Sequence, residues 1–338
     1  MRVSPVQVWV SAPLSSENTG PAYLRAVSTP RAFRFGVQEH RAPNAGAWKD
    51  KARQVESLGY AALYLPDHFT DQMGPIAALM AAADATSTLR VGSLVFDNDY
   101  RHPVVLAKEA ATLDLLSDGR FDLGLGAGWL ASDYEQAGIP FDGPGTRISR
   151  LEESLQIIKG LFAGSPFSFS GKHYQVKDIE GSPIPVQKPH PPIVIGGGGR
   201  RMLGLAAREA DIVNVNFDLR EGRVNRDLVR TGLAKATDEK LAWIKEAAGD
   251  RFERLELSVT IFLANLTDDR DSVATAMAAG FGSGPQDVLD MPHFLIGTAD
   301  QLVEELHRRR ERYGVSFVII PGEVAEIFAP VVARLSGT

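Results

Sequence analysis

The chain has 338 residues, with 36 Lys and Arg against 42 Asp and Glu, for a formal charge of −6. Mild acidity argues against a nucleic-acid or anionic-membrane partner, which would need a basic face. The lack of cysteine removes disulfides, thiolate nucleophiles and Cys-held metals together.

With 44% apolar residues the chain can bury an ordinary globular core. Its longest apolar run, Ile76 to Ala83, is far too short to span a bilayer, and a cytoplasmic protein is expected. The segment Ser11 to Pro30 is rich in Ser, Pro, Gly and Thr and has no period. Residues 1–32 therefore read as a loosely packed extension without the pattern of a signal peptide, and residues 33–338 as one domain.

From Phe33 the pattern becomes regular. Eight short apolar runs follow: Phe33–Gln38, Ala61–Leu65, Val91–Phe96, Phe121–Leu125, Ile193–Ile195, Ile212–Val215, Leu257–Leu263 and Phe317–Ile320. Their β-branched and aromatic content, bounded by Gly, Pro or Asp, marks buried strands. Helical spacing fills the gaps. Trp48, Ala52, Val55 and Leu58 form one stripe, closed by Gly59. Pro103 opens a helix through Leu106, Leu113 and Leu116. Ile148, Leu151, Leu155 and Ile158 mark a third, and Leu302, Leu306 and Tyr313 a last one, stopped by Gly314. Eight alternations of strand and helix predict an α/β fold, a closed (β/α)8 TIM barrel. Two long stretches interrupt the repeat. The proline-rich Ser165–Pro191 follows the fourth strand unit, and Asp268–Phe294 follows the seventh. Both are expected to wall the mouth at the strand C-termini.

Chemistry in such a barrel belongs where strands end. After the second run comes Asp67-His68. The carboxylate could position the imidazole for acid–base work, or cap the next turn beside a partly exposed His. After the third come Asp97 and Asp99, a possible carboxylate pair or two Asx-turn residues. Arg101 and His102 then precede a helix, suited to an anion or to capping. After the fourth, Gly124, Gly126 and Gly128 lead to Trp129. A dinucleotide fingerprint would need glycine at 129, so the glycines suit a backbone passing close to a flat ligand, or a crowded barrel interior. After the fifth, Gly196-Gly197-Gly198-Gly199 run into Arg200 and Arg201 at a helix start. Several backbone N–H groups and the helix dipole there favour a phosphate, to which the arginines could add charge-assisted bonds, over a flexible turn with no ligand. The seven histidines show no paired metal spacing, so no metal is expected.

The ordered set Pro66-Asp67-His68-Phe69, Arg101-His102-Pro103, Leu113 to Phe121, Gly124 to Trp129, Gly196 to Gly199 and Leu295 to Thr298 resembles the luciferase-like monooxygenase superfamily. Within it the chain looks most like the coenzyme F420-dependent oxidoreductases. The resemblance implies a tricyclic ring at the C-terminal mouth and a non-prolyl cis peptide at Leu94–Val95 behind it. It also implies cofactor contacts from Asp67, Leu94, Val95, Asp97, Gly126, Gly128, Trp129, Gly196 to Gly199 and Arg200, with His68 as the acid–base residue. In a sugar-phosphate dehydrogenase branch a Glu stands where this chain has Trp129, which argues against a sugar phosphate. The expected reaction is hydride transfer between coenzyme F420 and a small organic substrate. The alternatives are an FMN-dependent monooxygenase fed by a separate reductase, and a non-catalytic flavin-binding protein. A homodimer is implied as well.

Overall fold

A computed structural model describes residues 30–223 and 225–338. The proposed extension lies almost wholly outside the described residues. The strands run β1 (Arg34–Gln38), β2 (Ala62–Leu65), β3 (Arg90–Ser93), β4 (Phe96–Asp97), β5 (Phe121–Gly126), β6 (Pro166–Ser170) and β7 (Gln175–Glu180). They continue through β8 (Ile193–Gly197), β9 (Ile212–Val215), β10 (Glu256–Thr260), β11 (Leu263–Leu266), β12 (Phe294–Gly297) and β13 (Val315–Pro321). Helices are α1 (Ala45–Ser57), α2 (Pro75–Ala85), α3 (Pro103–Leu116), α4 (Ala131–Ala137), α5 (Pro144–Phe162) and α6 (Arg200–Glu209). After them come α7 (Arg226–Arg230), α8 (Ala234–Ala248), α9 (Arg270–Phe281), α10 (Pro285–Leu289), α11 (Ala299–Tyr313) and α12 (Ala325–Leu335).

Nine of these strands form one parallel sheet in the order β3-β2-β1-β13-β10-β9-β8-β5-β4. A further pairing of β3 with β5, through Val91↔Phe121 and Gly92↔Asp122, closes it. Because β3 and β4 are one stave broken at the cis Leu94–Val95 peptide, the result is an eight-stave (β/α)8 barrel. Local sequence explains the helices around it. Asn44 caps α1 by accepting from the Ala47 N–H. Pro103 occupies the first turn of α3, where its missing N–H costs nothing. Thr298 and Gln301 form a capping box on α11, and Gly314 ends that helix at φ 70°.

Two apolar layers result. The larger lies between strands and helices and includes Phe35, Leu63, Leu123, Ile158 and Phe328. A smaller one fills the barrel lumen with Tyr64, Val194, Ile212, Phe317 and Ile319. Below it, Tyr64 donates to Asp122 at 2.7 Å and Arg90 clasps the same carboxylate, which plugs the N-terminal end. Packed side chains thus leave only the C-terminal end open.

The expectation for Ser165–Pro191 is corrected. Its β6–β7 hairpin packs on α5, and Gln187 then donates to Asp114 and to the Phe121 carbonyl near the N-terminal end of the barrel. It follows a helix rather than a strand, and although Tyr174 near its tip reaches Asn98 and His102, none of its residues lines the cavity. Asp268–Phe294 does follow a strand end, as α9 and α10. It forms a satellite cluster with Phe217, Phe294 and Ile296 rather than a cavity wall.

Candidate active site

A cavity of about 400 Å³ opens at the strand C-termini. Every residue that the resemblance implied, from Asp67 and His68 through Val95, Gly126 and Trp129 to Gly199 and Arg200, borders it, whereas Asp99, Arg101, His102 and Gly124 do not. Four staves supply these residues and a fifth, β9, completes the rim, because successive staves of a closed parallel sheet all end on the same side.

Glycine makes the slot possible. A Cβ on Gly126 would lie 2.5 Å from Cγ2 of Val95, so the Val95 side chain and the strand backbone pack without a gap. Gly128 has φ +74°, and a Cβ there would meet the Tyr134 hydroxyl at 1.8 Å. Gly124, one turn of the pleat deeper, answers to interior crowding instead, since its Cβ would strike the Ser93 carbonyl. All three glycines thus answer to packing by the protein's own atoms, and Gly126 and Gly128 in addition border the cavity.

The acid–base end departs from expectation. Asp67 does not orient His68. Arg101 grips it with two nitrogens, at 2.5 and 3.2 Å, and the Asp97 N–H donates to it at 3.1 Å. Arg101 is thereby committed, and His102 caps α3 by accepting from Val104. The imidazole's partner is Asp133, whose Oδ2 lies 2.6 Å from His68 Nδ1. The Tyr100 hydroxyl donates to the same oxygen at 3.3 Å. With Nδ1 held by a buried carboxylate, the other nitrogen is the one left for a ligand. Trp129 meets the imidazole edge-on at 5.7 Å.

Asp97 and Asp99 are both turn residues and a carboxylate pair. Asp97 caps the turn by accepting from the Asp99 N–H, and both reach the Tyr134 hydroxyl. Burial, aided by the Asp99 charge, pushes the Asp97 carboxyl up to about 7.

At the other end the Gly196–Gly199 turn opens into α6, whose N-cap has no side-chain capping bond. The first turn of α5 faces it across the cavity, through Pro144, Gly145 and Arg147. Arg200 points outward to Glu246, at 2.9 Å, and Arg201 donates to the Gly145 carbonyl. The Arg200 guanidinium expected on a phosphate is thus paired with Glu246 at the surface.

Sequence reasoning missed Asp133, Tyr134 and the wall Asn216–Arg220. Phe217 of that wall is braced from behind by His293, at 4.4 Å. The buried Lys240 amine donates to the carbonyls of Asn216 and Thr231, at 2.6 and 2.5 Å. Burial lowers it to about 8. No local pattern could reveal Asp133, which stands 65 residues from His68. Phe281 stacks on Phe294 in the satellite cluster, and Phe141 lies beneath Arg147. Among the described residues no group of three His, Asp or Glu could hold a metal, and no helix is long and apolar enough to cross a membrane.

Known proteins share this architecture. An FMNH(2)-dependent dimethylsulfone monooxygenase of Pseudomonas putida is 30% identical over 168 residues, 50% of this chain and 45% of that protein. An F420-dependent glucose-6-phosphate dehydrogenase of Amycolatopsis mediterranei is 27% identical over 228 residues, 65% of this chain and 64% of the relative. These matches span less than two thirds of either relative's length. The structure of a coenzyme F420-dependent tetrahydromethanopterin reductase from Methanopyrus kandleri superposes with a TM-score of 0.71 at 20% identity. The superposition covers 90% of this chain and 99% of the reductase. A family model described as luciferase-like monooxygenase matches residues 29–316, and on that extent the chain belongs to the luciferase-like monooxygenase family.

Proposed function

We propose that this protein is an oxidoreductase that moves a hydride between coenzyme F420 and a small, largely apolar organic substrate. The carrying observation is the pairing of His68 with buried Asp133 beside a glycine-lined slot. One end of that slot offers oriented imidazole, and the other offers backbone N–H groups.

The residues fit a planar ring with a phosphate tail. The turn at Gly196–Gly199, with the uncapped start of α6, would receive the phosphate through backbone donors. A Cβ at Gly198 would lie 2.2 Å from the Phe217 carbonyl, so this turn runs flush with the wall. Val95 and Leu94 would support the ring from the lumen side. A deazaflavin, when bound, supplies a carbon that accepts or releases hydride. His68 would then take or return the substrate proton at the nitrogen not held by Asp133. Trp129 stands edge-on to the imidazole and presents no carboxylate, which supports an apolar substrate over a sugar phosphate.

A second reading is favoured by the 30% identity to an FMNH(2)-dependent monooxygenase. It is a flavin monooxygenase that draws reduced FMN from a partner. Fluorescence titration with coenzyme F420 and with FMN, each oxidised and reduced, separates the two. Tighter binding of F420 is expected. Binding of FMN alone would transfer the conclusion to the oxygenase, and binding of neither would end both.

A further inference from the structure

Tyr134 places one hydroxyl among three carboxylate oxygens at the cavity floor. Its Oη lies 3.0 Å from each oxygen of Asp97 and 3.1 Å from Oδ2 of Asp99. A phenol has one proton, so it can donate to only one of the two acids. The arrangement is cohesive only if another proton is present.

Charge decides which acid carries it. Arg150 donates to Asp99 through Nε at 2.9 Å and Nη2 at 2.8 Å, so Asp99 has its counter-charge in place. Asp97 has no such partner, and its side chain bonds only to the Asp99 N–H and Tyr134. The groups packed around it are known. From the end of β2 comes Asp67, already neutralised by Arg101. From the turn after β4 come Asp99 and Tyr100, and from α4 come Tyr134 and Asp133, the latter tied to His68. From α5 come Arg150 and Arg147, and Arg147 spends its donors on the Ala127 and Asp142 carbonyls. Asp97 is therefore a buried carboxyl among carboxylates, bordering the cavity, without a cation of its own.

We propose that Asp97 is a proton-carrying acid of the cavity, which donates its O–H to a nitrogen or oxygen of the bound ring. This rests on the reading of the cavity as a flavin or deazaflavin site. Asp99 stays ionised on Arg150, and the Tyr134 hydroxyl donates to it. In the empty protein Asp97 loses its proton near pH 7. Ring binding above that pH takes a proton from solvent, and affinity falls by up to about tenfold per pH unit.

Two measurements test this. Carbon-13 NMR of aspartate-labelled protein, without ligand, is expected to show one carboxyl titrating near pH 7, absent from Asp97→Asn. In Tyr134→Phe the same signal shifts upward, because the ionised form loses a donor. Calorimetry at about pH 8 with oxidised FMN and oxidised F420, in phosphate and in Tris, reads proton uptake from the difference in enthalpy. Uptake in the wild type that disappears in Asp97→Asn, whose amide still donates, supports the proposal. A carboxyl midpoint near the ordinary aspartate value, or uptake unchanged in Asp97→Asn, overturns it. If neither ring binds while the signal titrates near pH 7, the redox-ring reading falls and Asp97 remains the cavity's acid.

Discussion

His68 owes its chemistry to a residue that is not its neighbour in sequence. Asp133, from the first turn of α4, holds Nδ1 at 2.6 Å and has a side chain only 2% exposed. That bond selects the tautomer and the ring plane, so the carboxylate acts through the imidazole rather than on a ligand. His68→Ala is expected to lower turnover by roughly 10²–10⁴-fold, the usual worth of a positioned general acid or base, while ring affinity stays near wild type. Asp133→Asn keeps the volume but loses the charge, and falls between the two with a displaced pH–rate profile. Single-turnover rates beside fluorescence-derived affinities check both. Equal loss of affinity and rate in His68→Ala would mean that the imidazole is a wall and not a proton carrier.

Among the elements, the segment between β9 and α8 is held in part by one buried side chain. Lys240 reaches from α8 to the carbonyls of Asn216, in the wall that carries Phe217, and of Thr231, further along the same segment. Its amine is held at about 8 by burial, against 10.5 for an ordinary lysine. The unfolded chain binds the proton more tightly. Between about pH 8 and 10.5 it holds more protons than the folded state, so stability from this group rises with pH across that window. Lys240→Met is expected to lose that rise in urea melts. It also leaves two carbonyls without donors, at about 1–3 kcal/mol each, and loosens ring binding more than it changes the chemical step. A pH–stability curve parallel to wild type would contradict this.

In the whole molecule, barrel closure converts distant strand ends into one rim. The staves β2, β4, β5, β8 and β9 all contribute to the cavity. A ligand bound there ties together the two sides of the seam that closes the barrel, where Phe96↔Leu125 and Asp97↔Gly126 pair above Val91↔Phe121 and Gly92↔Asp122. Saturation at about one hundred times the dissociation constant stabilises the folded state by about 2.7 kcal/mol. A coenzyme-dependent rise in Tm is therefore expected in the wild type. It should be smaller in Lys240→Met, whose wall is loose before the ligand arrives. A Tm that ignores both F420 and FMN would sink the ring-binding role.

The barrel strands and the helices α1, α3, α5, α6 and α11 followed from sequence because their determinants are local. β-branched runs, Pro103 at a helix start, Gly314 at a helix end and the four-glycine turn each act within a few residues. Gly128 was legible too, since a left-handed backbone admits few other residues. Partnership was not legible. Asp67 stands beside His68 in the chain yet is taken by Arg101, while Asp133 arrives from 65 residues away. The proline-rich stretch has a loop's composition, yet packs along α5 as a hairpin because it follows a helix rather than a strand. Hydrogen bonds and charge depend on distance in space. Only the closed barrel, by curling all its staves onto one rim, decides which groups come within 3 Å of one another.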